Sequence, residues 1–108
     1  MTVPPVDYAE ATLLHELAGY FYALKDAMRL EMIAVLAERD ECTVSEMAAA
    51  LKKSQPLVSW HLRRLKTAGV VKMRRSGREV YCSLDRDSIT RYQQEFRRLI
   101  PGYRISIE

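Results

Sequence analysis

The stretch that most constrains the fold of this chain is SQPLVSWHLRRL, residues 54–65. Ser54 offers a side-chain oxygen for a helix N-cap, and Pro56 falls in the first turn, where its missing N–H costs nothing. An apolar stripe at helical period is formed by Leu51, Val58, Leu62 and Leu65. The stretch therefore predicts a helix that is anchored in a core along one side.

The other side of this helix carries amide, hydroxyl, indole and guanidinium groups, on Gln55, Ser59, Trp60, Arg63 and Arg64. Gln and Arg can make bidentate contacts to base edges in the major groove of DNA, each worth roughly 1–3 kcal/mol of discrimination. Taken alone, the pattern fits an ordinary amphipathic helix with a solvated basic face equally well. The rest of the chain favours DNA.

Charge is divided unevenly between the two halves of the 108-residue chain. Residues 1–50 hold three basic and nine acidic side chains, whereas residues 51–108 hold fourteen basic and five acidic ones. Between Lys52 and Arg78 there are nine Lys or Arg and no Asp or Glu. Such a one-sided field suits a polyanion, because each phosphate that is neutralised releases counterions.

Nothing in the sequence indicates export or membrane insertion. No apolar run approaches the roughly 18–20 residues needed to cross a bilayer. The N-terminus lacks the basic-then-apolar order of a signal peptide, and two cysteines do not make a disulfide framework. We therefore expect a cytoplasmic protein with reduced thiols and no membrane association.

The first part of the chain predicts helices. An arm over residues 1–6 precedes a helix over residues 7–24, and Asp26 caps a second helix that runs to about Glu38. The inward positions of this second helix are predicted to be Leu30, Ile33, Ala34 and Ala37. After a loop over residues 38–42, Thr43 or Ser45 caps a short helix with Met47, Ala48 and Leu51 inward. Residues 44–66 then have helix-turn-helix spacing.

Two strand-like runs over residues 70–84 follow, joined at Ser76-Gly77, which is typical of a hairpin. The hairpin carries Arg74, Arg75 and Arg78, which indicates a wing that lies along the DNA backbone or in the minor groove. Lys53, Ser54 and Arg64 are further predicted DNA contacts. An exposed hairpin kept soluble by arginine is the alternative. The sequence thus predicts one domain, mainly α with a small β-hairpin, in the order α-α-α-α-β-β-α: a winged helix-turn-helix.

A last helix over residues 87–100, begun by Asp85 or Asp87, is predicted to stop at Pro101-Gly102. The first and last helices both have more apolar surface than the core requires. Pairing these helices between two chains would bury that surface and would present two recognition helices to successive major grooves about 34 Å apart. We therefore expect a homodimer.

Two segments resemble a known family. ALKDAMRLEMIAVLAE resembles the second-helix signature of the arsenic-repressor (ArsR/SmtB) family of bacterial winged-helix regulators, and SQPLVSWHLRRLKTAGVVKMRRSGREVYCSL resembles its recognition helix and wing. The resemblance implies a homodimeric transcriptional repressor that leaves its operator when an effector binds. By position it implies that the DNA contacts are made by Gln55, Pro56, Ser59 and Trp60, with Arg74, Arg75 and Arg78 in the wing. Trp60 replaces a smaller or polar residue, so operator sequence should not be copied from relatives.

The family's best-known metal sites are missing. Its arsenic sensors carry Cys-Val-Cys where this chain has Thr43-Val44-Ser45, and its zinc sensors carry Asp-x-His where this chain has Asp85-Arg86-Asp87. Soft metals prefer thiolate, and zinc prefers imidazole or thiolate to carboxylate alone. We therefore expect neither a metal site nor another cofactor. A site built from His15 and carboxylates across a dimer is a weak alternative.

Two other effector hypotheses stay open. Cys42 is expected in an exposed loop with its pKa raised by neighbouring carboxylates, and Cys82 is expected to be buried in the wing. Together they are candidate redox residues. Alternatively, the aromatic residues of the first and last helices line a site for a small organic effector, although interface core is the commoner role for such residues.

Nothing in the chain assembles an enzyme: it has no nucleophile–base grouping and no glycine-rich phosphate loop. The leading hypothesis is a sequence-specific repressor on a pseudo-palindromic operator. Its alternatives are a winged-helix module that docks an acidic protein and a non-specific DNA-compacting protein.

Overall fold

The computed structural model describes Val3 and residues 7–100, apart from the side chains of Tyr8 and Ala9. The rest of the predicted arm, the predicted stop at Pro101-Gly102 and the tail lie outside the described residues. The elements run in the order α1 (Tyr8–Leu24), α2 (Ala27–Ala37), β1 (Cys42–Thr43), α3 (Val44–Leu51), α4 (Gln55–Thr67), β2 (Val71–Ser76), β3 (Glu79–Leu84) and α5 (Arg86–Arg98). This is the predicted winged helix-turn-helix with one additional short strand.

Side-chain caps begin four of the helices, at the predicted places. Asp26 accepts from the backbone N–H groups of Met28 and Arg29, and Ser54 accepts from that of Leu57. Thr43, rather than Ser45, caps α3 in a reciprocal capping box with Glu46, and Asp85 caps α5. Local sequence therefore fixes where these helices start.

The three strands form an antiparallel sheet in the order β1-β3-β2. Ser76 pairs with Glu79, so the two loop residues are Gly77 and Arg78, one position later than predicted. Gly77 has a φ of 61°, as the first central residue of a type II′ turn requires. On the other side of β3, Cys42 pairs with Cys82.

The core lies where α2, α3 and α4 meet the sheet. Its fully buried side chains are Met32, Leu36, Cys42, Met47, Val58, Leu62, Leu65, Val70 and Cys82. The predicted stripe of α4 is confirmed at Val58, Leu62 and Leu65, while Leu51 belongs to α3 and is partly buried.

The predicted inward face of α2 is wrong at Leu30, Ala34 and Ala37, whereas Ile33 packs against the core. Leu30 is 50% exposed, Ala34 and Ala37 are exposed, and Ile33 is only partly buried. The buried positions are Arg29, Met32 and Leu36 instead. Nearly every residue of α2 is apolar, so its inward face is decided by the partners it meets and not by its own pattern.

Helices α1 and α5 pack together within the chain. Tyr20 stacks on Tyr92 with ring centroids 4.5 Å apart, and Phe21 meets Phe96 edge-on at 5.0 Å. Large apolar side chains nevertheless remain exposed on α1, at Phe21 and Tyr22, and directly after α5, at Leu99 and Ile100. Among the described residues, no helix has the length and apolar character needed to cross a membrane.

Candidate nucleic-acid interface

Helix α4 lies beside the β2–β3 hairpin, and the space between them is an open groove, here called the helix–wing groove. One part, of about 450 Å³, is lined by Ser59, Arg63, Lys66, Arg74 and Arg75, among others. An adjoining part, of about 470 Å³, shares Ser59 and Arg63 and adds Gln55, Pro56 and Arg78. Seven of the predicted contact residues therefore line one continuous basic surface.

Lys66 was not predicted as a site residue, although its spacing could have indicated it. It follows Ser59 and Arg63 at intervals of seven and three, which places all three side chains on one face of a helix. Ser45 was missed for a different reason. It lies on α3, and its part in the groove depends on tertiary contact.

The amide of Gln55 is held in place by Ser45. Its Nε2 donates a hydrogen bond to Ser45 Oγ over 3.1 Å, between α4 and the first turn of α3. An amide has two donor hydrogens and an acceptor oxygen. One hydrogen is committed to Ser45, which leaves the other hydrogen and the oxygen for a base edge.

The wing is tied to the acidic half of the chain through Arg74. Its Nε and Nη2 atoms donate to the two carboxylate oxygens of Glu41, and its guanidinium lies 4.4 Å from the ring centroid of Tyr81. The hydrogen bond to Glu41 raises the pKa of Arg74. The structure gives no such carboxylate partner to Arg75 or Arg78 within residues 7–100. These two arginines carry charge that is available to a polyanion.

Trp60 and Arg64 do not line the helix–wing groove. The Trp60 ring has Arg64 Cζ at 5.3 Å and Arg29 Cζ at 5.4 Å from its centroid, within the range of a cation–π contact. His61, the next residue, is buried and accepts a hydrogen bond from Arg29. Lys53 and Ser54 lie at the exposed N-terminal end of α4. The predicted contact set is thus divided between two faces of this helix.

The prediction that Cys42 lies in an exposed loop is wrong. Cys42 is in β1 and is buried, like Cys82, and the two Sγ atoms are 3.9 Å apart. Burial raises the pKa of both thiols, that of Cys82 to about 12, and the neighbouring Cys42 adds to the effect on Cys82. For Cys42 the carboxylate of Glu46 contributes in the same direction, but less than burial does.

Within the described part of the chain, no three His, Cys, Asp or Glu side chains come together as a metal site would need. His15 is exposed on α1.

The fold and its basic groove define a winged helix-turn-helix protein of the DNA-binding class. Residues 26–73 match the family model of the arsR family of bacterial regulatory proteins. An uncharacterized HTH-type transcriptional regulator from Methanocaldococcus jannaschii is 43% identical over 60 residues, which cover 56% of this chain and 67% of that protein. The chain belongs to the arsR family.

Two further likenesses agree with this assignment. A transcriptional repressor SmtB homolog from Synechocystis is 45% identical over 69 residues, 64% of this chain and 52% of that protein. The chain thus spans about half the length of that relative. The solution structure of a homodimeric winged helix-turn-helix DNA-binding domain from Mycobacterium bovis has a TM-score of 0.72 at 24% identity, covering 98% of this chain and 100% of that domain. This second likeness concerns the fold.

Proposed function

We propose that the protein is a sequence-specific transcriptional repressor that binds a pseudo-palindromic operator as a homodimer and is released by an effector. The observation that carries the proposal is the helix–wing groove, where Gln55, Ser59 and Arg63 of α4 face Arg75 and Arg78 of the wing. Amide, hydroxyl and guanidinium groups on α4 suit base edges. The wing arginines suit phosphates, which position a protein without reading sequence.

The exposed apolar residues of α1 and α5 support a dimer. Tyr22 is 63% exposed, and Leu99 is 46% exposed. A second copy that covers these residues would remove apolar area from water, at roughly 25 cal/mol per Å² buried. The Mycobacterium bovis domain of the same fold is homodimeric.

The proposal is tested by fluorescence anisotropy of a labelled duplex from the protein's own promoter, with random duplex as competitor. We expect the promoter duplex to bind about 10³-fold or more tightly than random DNA. A ratio near one would indicate a DNA-compacting protein instead. An acidic protein that binds more tightly than any duplex at physiological salt would indicate a protein-docking module.

A double variant, Arg75→Ala with Arg78→Ala, tests the contribution of the wing arginines to DNA binding. We expect it to weaken binding to promoter and random duplexes alike and to lower the salt slope by up to about 0.9 for each phosphate that is no longer neutralised. Arg39→Ala is the matched control, since Arg39 is an exposed arginine of the turn after α2 that does not line the groove. A matching fall in promoter binding in the Arg39 variant would contradict the assignment.

Leu99→Glu tests the dimer. Leu99 caps the C-terminal end of α5 and is exposed, so the change should leave the protomer folded. We expect sedimentation to show a shift from dimer to monomer, together with weaker promoter binding. A parent protein that sediments as a monomer at micromolar concentration would refute the dimer.

A further inference from the structure

A second cavity, separate from the helix–wing groove, lies between α1, α2, α4 and α5 and is here called the α1–α4 cavity. Its volume is about 300 Å³, at the lower end of the range for small-molecule sites. Its walls include Glu16, Tyr20, Arg29, Arg64, Thr67 and Tyr92. It therefore combines two guanidinium groups with two aromatic rings.

The guanidinium of Arg29 is the unusual feature of this cavity. Arg29 is only 7% exposed. Its Nε donates to His61 Nδ1 over 3.1 Å and its Nη1 donates to the backbone oxygen of Ala23 over 3.3 Å. Both acceptors are uncharged, and no carboxylate of residues 7–100 lies within ion-pair distance of Arg29. Buried charges are normally paired with an opposite charge, and Arg29, which lines the cavity, has no such partner among the described residues.

Arg64 places a second cation on the same wall, and its side chain is likewise without an ion pair in the described chain. Guanidinium groups bind carboxylates through paired, charge-assisted hydrogen bonds. Tyr20 and Tyr92 contribute the apolar part of the wall only through the parts of the rings that stay accessible, because they stack on each other at an interplanar angle of 22° and are 2% and 9% exposed. Glu16 is the acidic member of the lining and opposes an anion close to it.

We propose that the α1–α4 cavity binds a small aromatic carboxylate, with the carboxylate at Arg29 and Arg64 and the ring against Tyr20 and Tyr92. The size of the cavity and the two cations favour a compact, singly charged acid with one ring. A neutral ring would leave Arg29 without a charged partner, and an inorganic anion would make no apolar contact with the tyrosine side of the lining.

The same two arginines connect this cavity to the recognition helix. Their guanidinium carbons both lie within 5.4 Å of the ring centroid of Trp60. A carboxylate that draws both groups toward itself weakens their contact with the indole and changes the support of α4. The bound acid is therefore the effector that lowers DNA affinity, a step that rests on the function proposed above. This effector role requires that the acid bind more tightly to the DNA-free protein than to the DNA-bound protein.

Binding is tested on the full chain without DNA, by ¹⁹F NMR titration with 4-fluorobenzoate and with the neutral 4-fluorobenzamide. We expect the benzoate to bind at least tenfold more tightly than the benzamide. Arg64→Gln should remove this preference, and Glu16→Gln should strengthen benzoate binding. Both positions are exposed, so neither change should prevent folding. Arg39→Gln, at an exposed arginine that does not line the cavity, should leave binding unchanged.

Three results would overturn the site: equal affinity for the acid and the amide, unchanged benzoate binding in Arg64→Gln, or displacement of benzoate by equimolar inorganic phosphate. Trp60 is the single tryptophan, so its fluorescence should change as the benzoate binds.

The effector role is tested by measuring the promoter duplex Kd with the cavity saturated. We expect the duplex to bind about tenfold more weakly, within the usual range of coupling between sites. An unchanged Kd would overturn the effector role. If the ligand-free protein bound no duplex at all, the proposed function would fail, whereas the NMR titration would still decide whether the cavity binds the acid.

Discussion

Arg29 on α2 donates a hydrogen bond from Nε to Nδ1 of His61 on the recognition helix, and both side chains are buried. An acceptor at Nδ1 places the ring proton of His61 on Nε2, so the imidazole is neutral in this arrangement. The bond joins two helices through residues 32 positions apart in sequence. The bond therefore holds α4 against α2 at His61, the residue that follows Trp60.

His61→Leu should destabilise the protein by about 1–3 kcal/mol, because it leaves a buried N–H of a charged group without its acceptor. His61→Gln, whose side-chain oxygen can accept the same bond, should cost less. Urea denaturation followed by circular dichroism measures both changes. Equal destabilisation in the two variants would show that the packing of the ring, and not the hydrogen bond, stabilises this part of the fold.

Glu41→Gln should tighten binding to any duplex, because the wing residue Arg74 is ion-paired with Glu41. Removing the carboxylate frees one guanidinium for a phosphate and takes away a negative charge near the wing. The slope of log K against log salt should steepen by up to about 0.9. Anisotropy over a salt series measures both effects.

Glu38→Gln is the matched control for this prediction, since Glu38 is an exposed glutamate of the same turn with no ion pair to a described residue. An equal gain in both variants would mean that general charge repulsion, and not the release of Arg74, is responsible.

Gln55→Ala should weaken promoter binding by roughly 1–3 kcal/mol and relax specificity at one or two base pairs, since the variant has no amide to bind a base edge. Ser45→Ala should have a smaller effect of the same kind, because it removes the hydroxyl that orients the amide of Gln55. Competition with single-base-pair variants of the promoter site measures specificity. If Gln55→Ala weakened binding to promoter and random DNA equally, a base-reading role would be contradicted.

The parts of this fold that could be predicted from sequence are those set by local rules. Ser54 and Asp26 begin their helices because a side-chain oxygen caps the backbone within three residues. Gly69, with a φ of 79°, lets Val70 donate to Leu65 and end α4, which is a common role of glycine at a helix C-terminus.

The parts that could not be predicted depend on distant partners. Strand β1 has only two residues, which are too few to show the alternating pattern that predicts a strand. It exists because Cys42 pairs with Cys82. Arg74 meets Glu41 across 33 residues. Trp60 follows Ser59 directly and lies about 100° further round the helix, but its contact with Arg29 of α2 depends on how α2 and α4 pack. Each of these contacts forms only when folding brings residues that are distant in sequence together.

The buried thiols should resist chemistry in the folded protein. Burial raises the pKa of Cys42 and Cys82, so the folded state holds both as thiols, whereas the thiolate is the reactive form. Iodoacetamide at pH 8 should label neither cysteine in the native protein and both in urea, as counted by mass spectrometry. Met73 pairs with Cys82 across the hairpin and is partly buried against the core. Met73→Ala removes most of this covering side chain and should therefore speed labelling of the native protein.

The same pKa shift makes stability depend on pH in a definite direction. A thiol whose pKa is higher in the folded state stabilises that state below its ordinary pKa near 9.0, and this contribution is lost as the pH rises toward about 12. The free energy of unfolding should therefore fall over that interval, and it should fall less in Cys82→Ala. Rapid native labelling, or a disulfide formed by mild oxidant without unfolding, would contradict this account. Either result would instead favour the hypothesis that oxidation of Cys42 and Cys82, whose Sγ atoms are 3.9 Å apart, releases the protein from DNA.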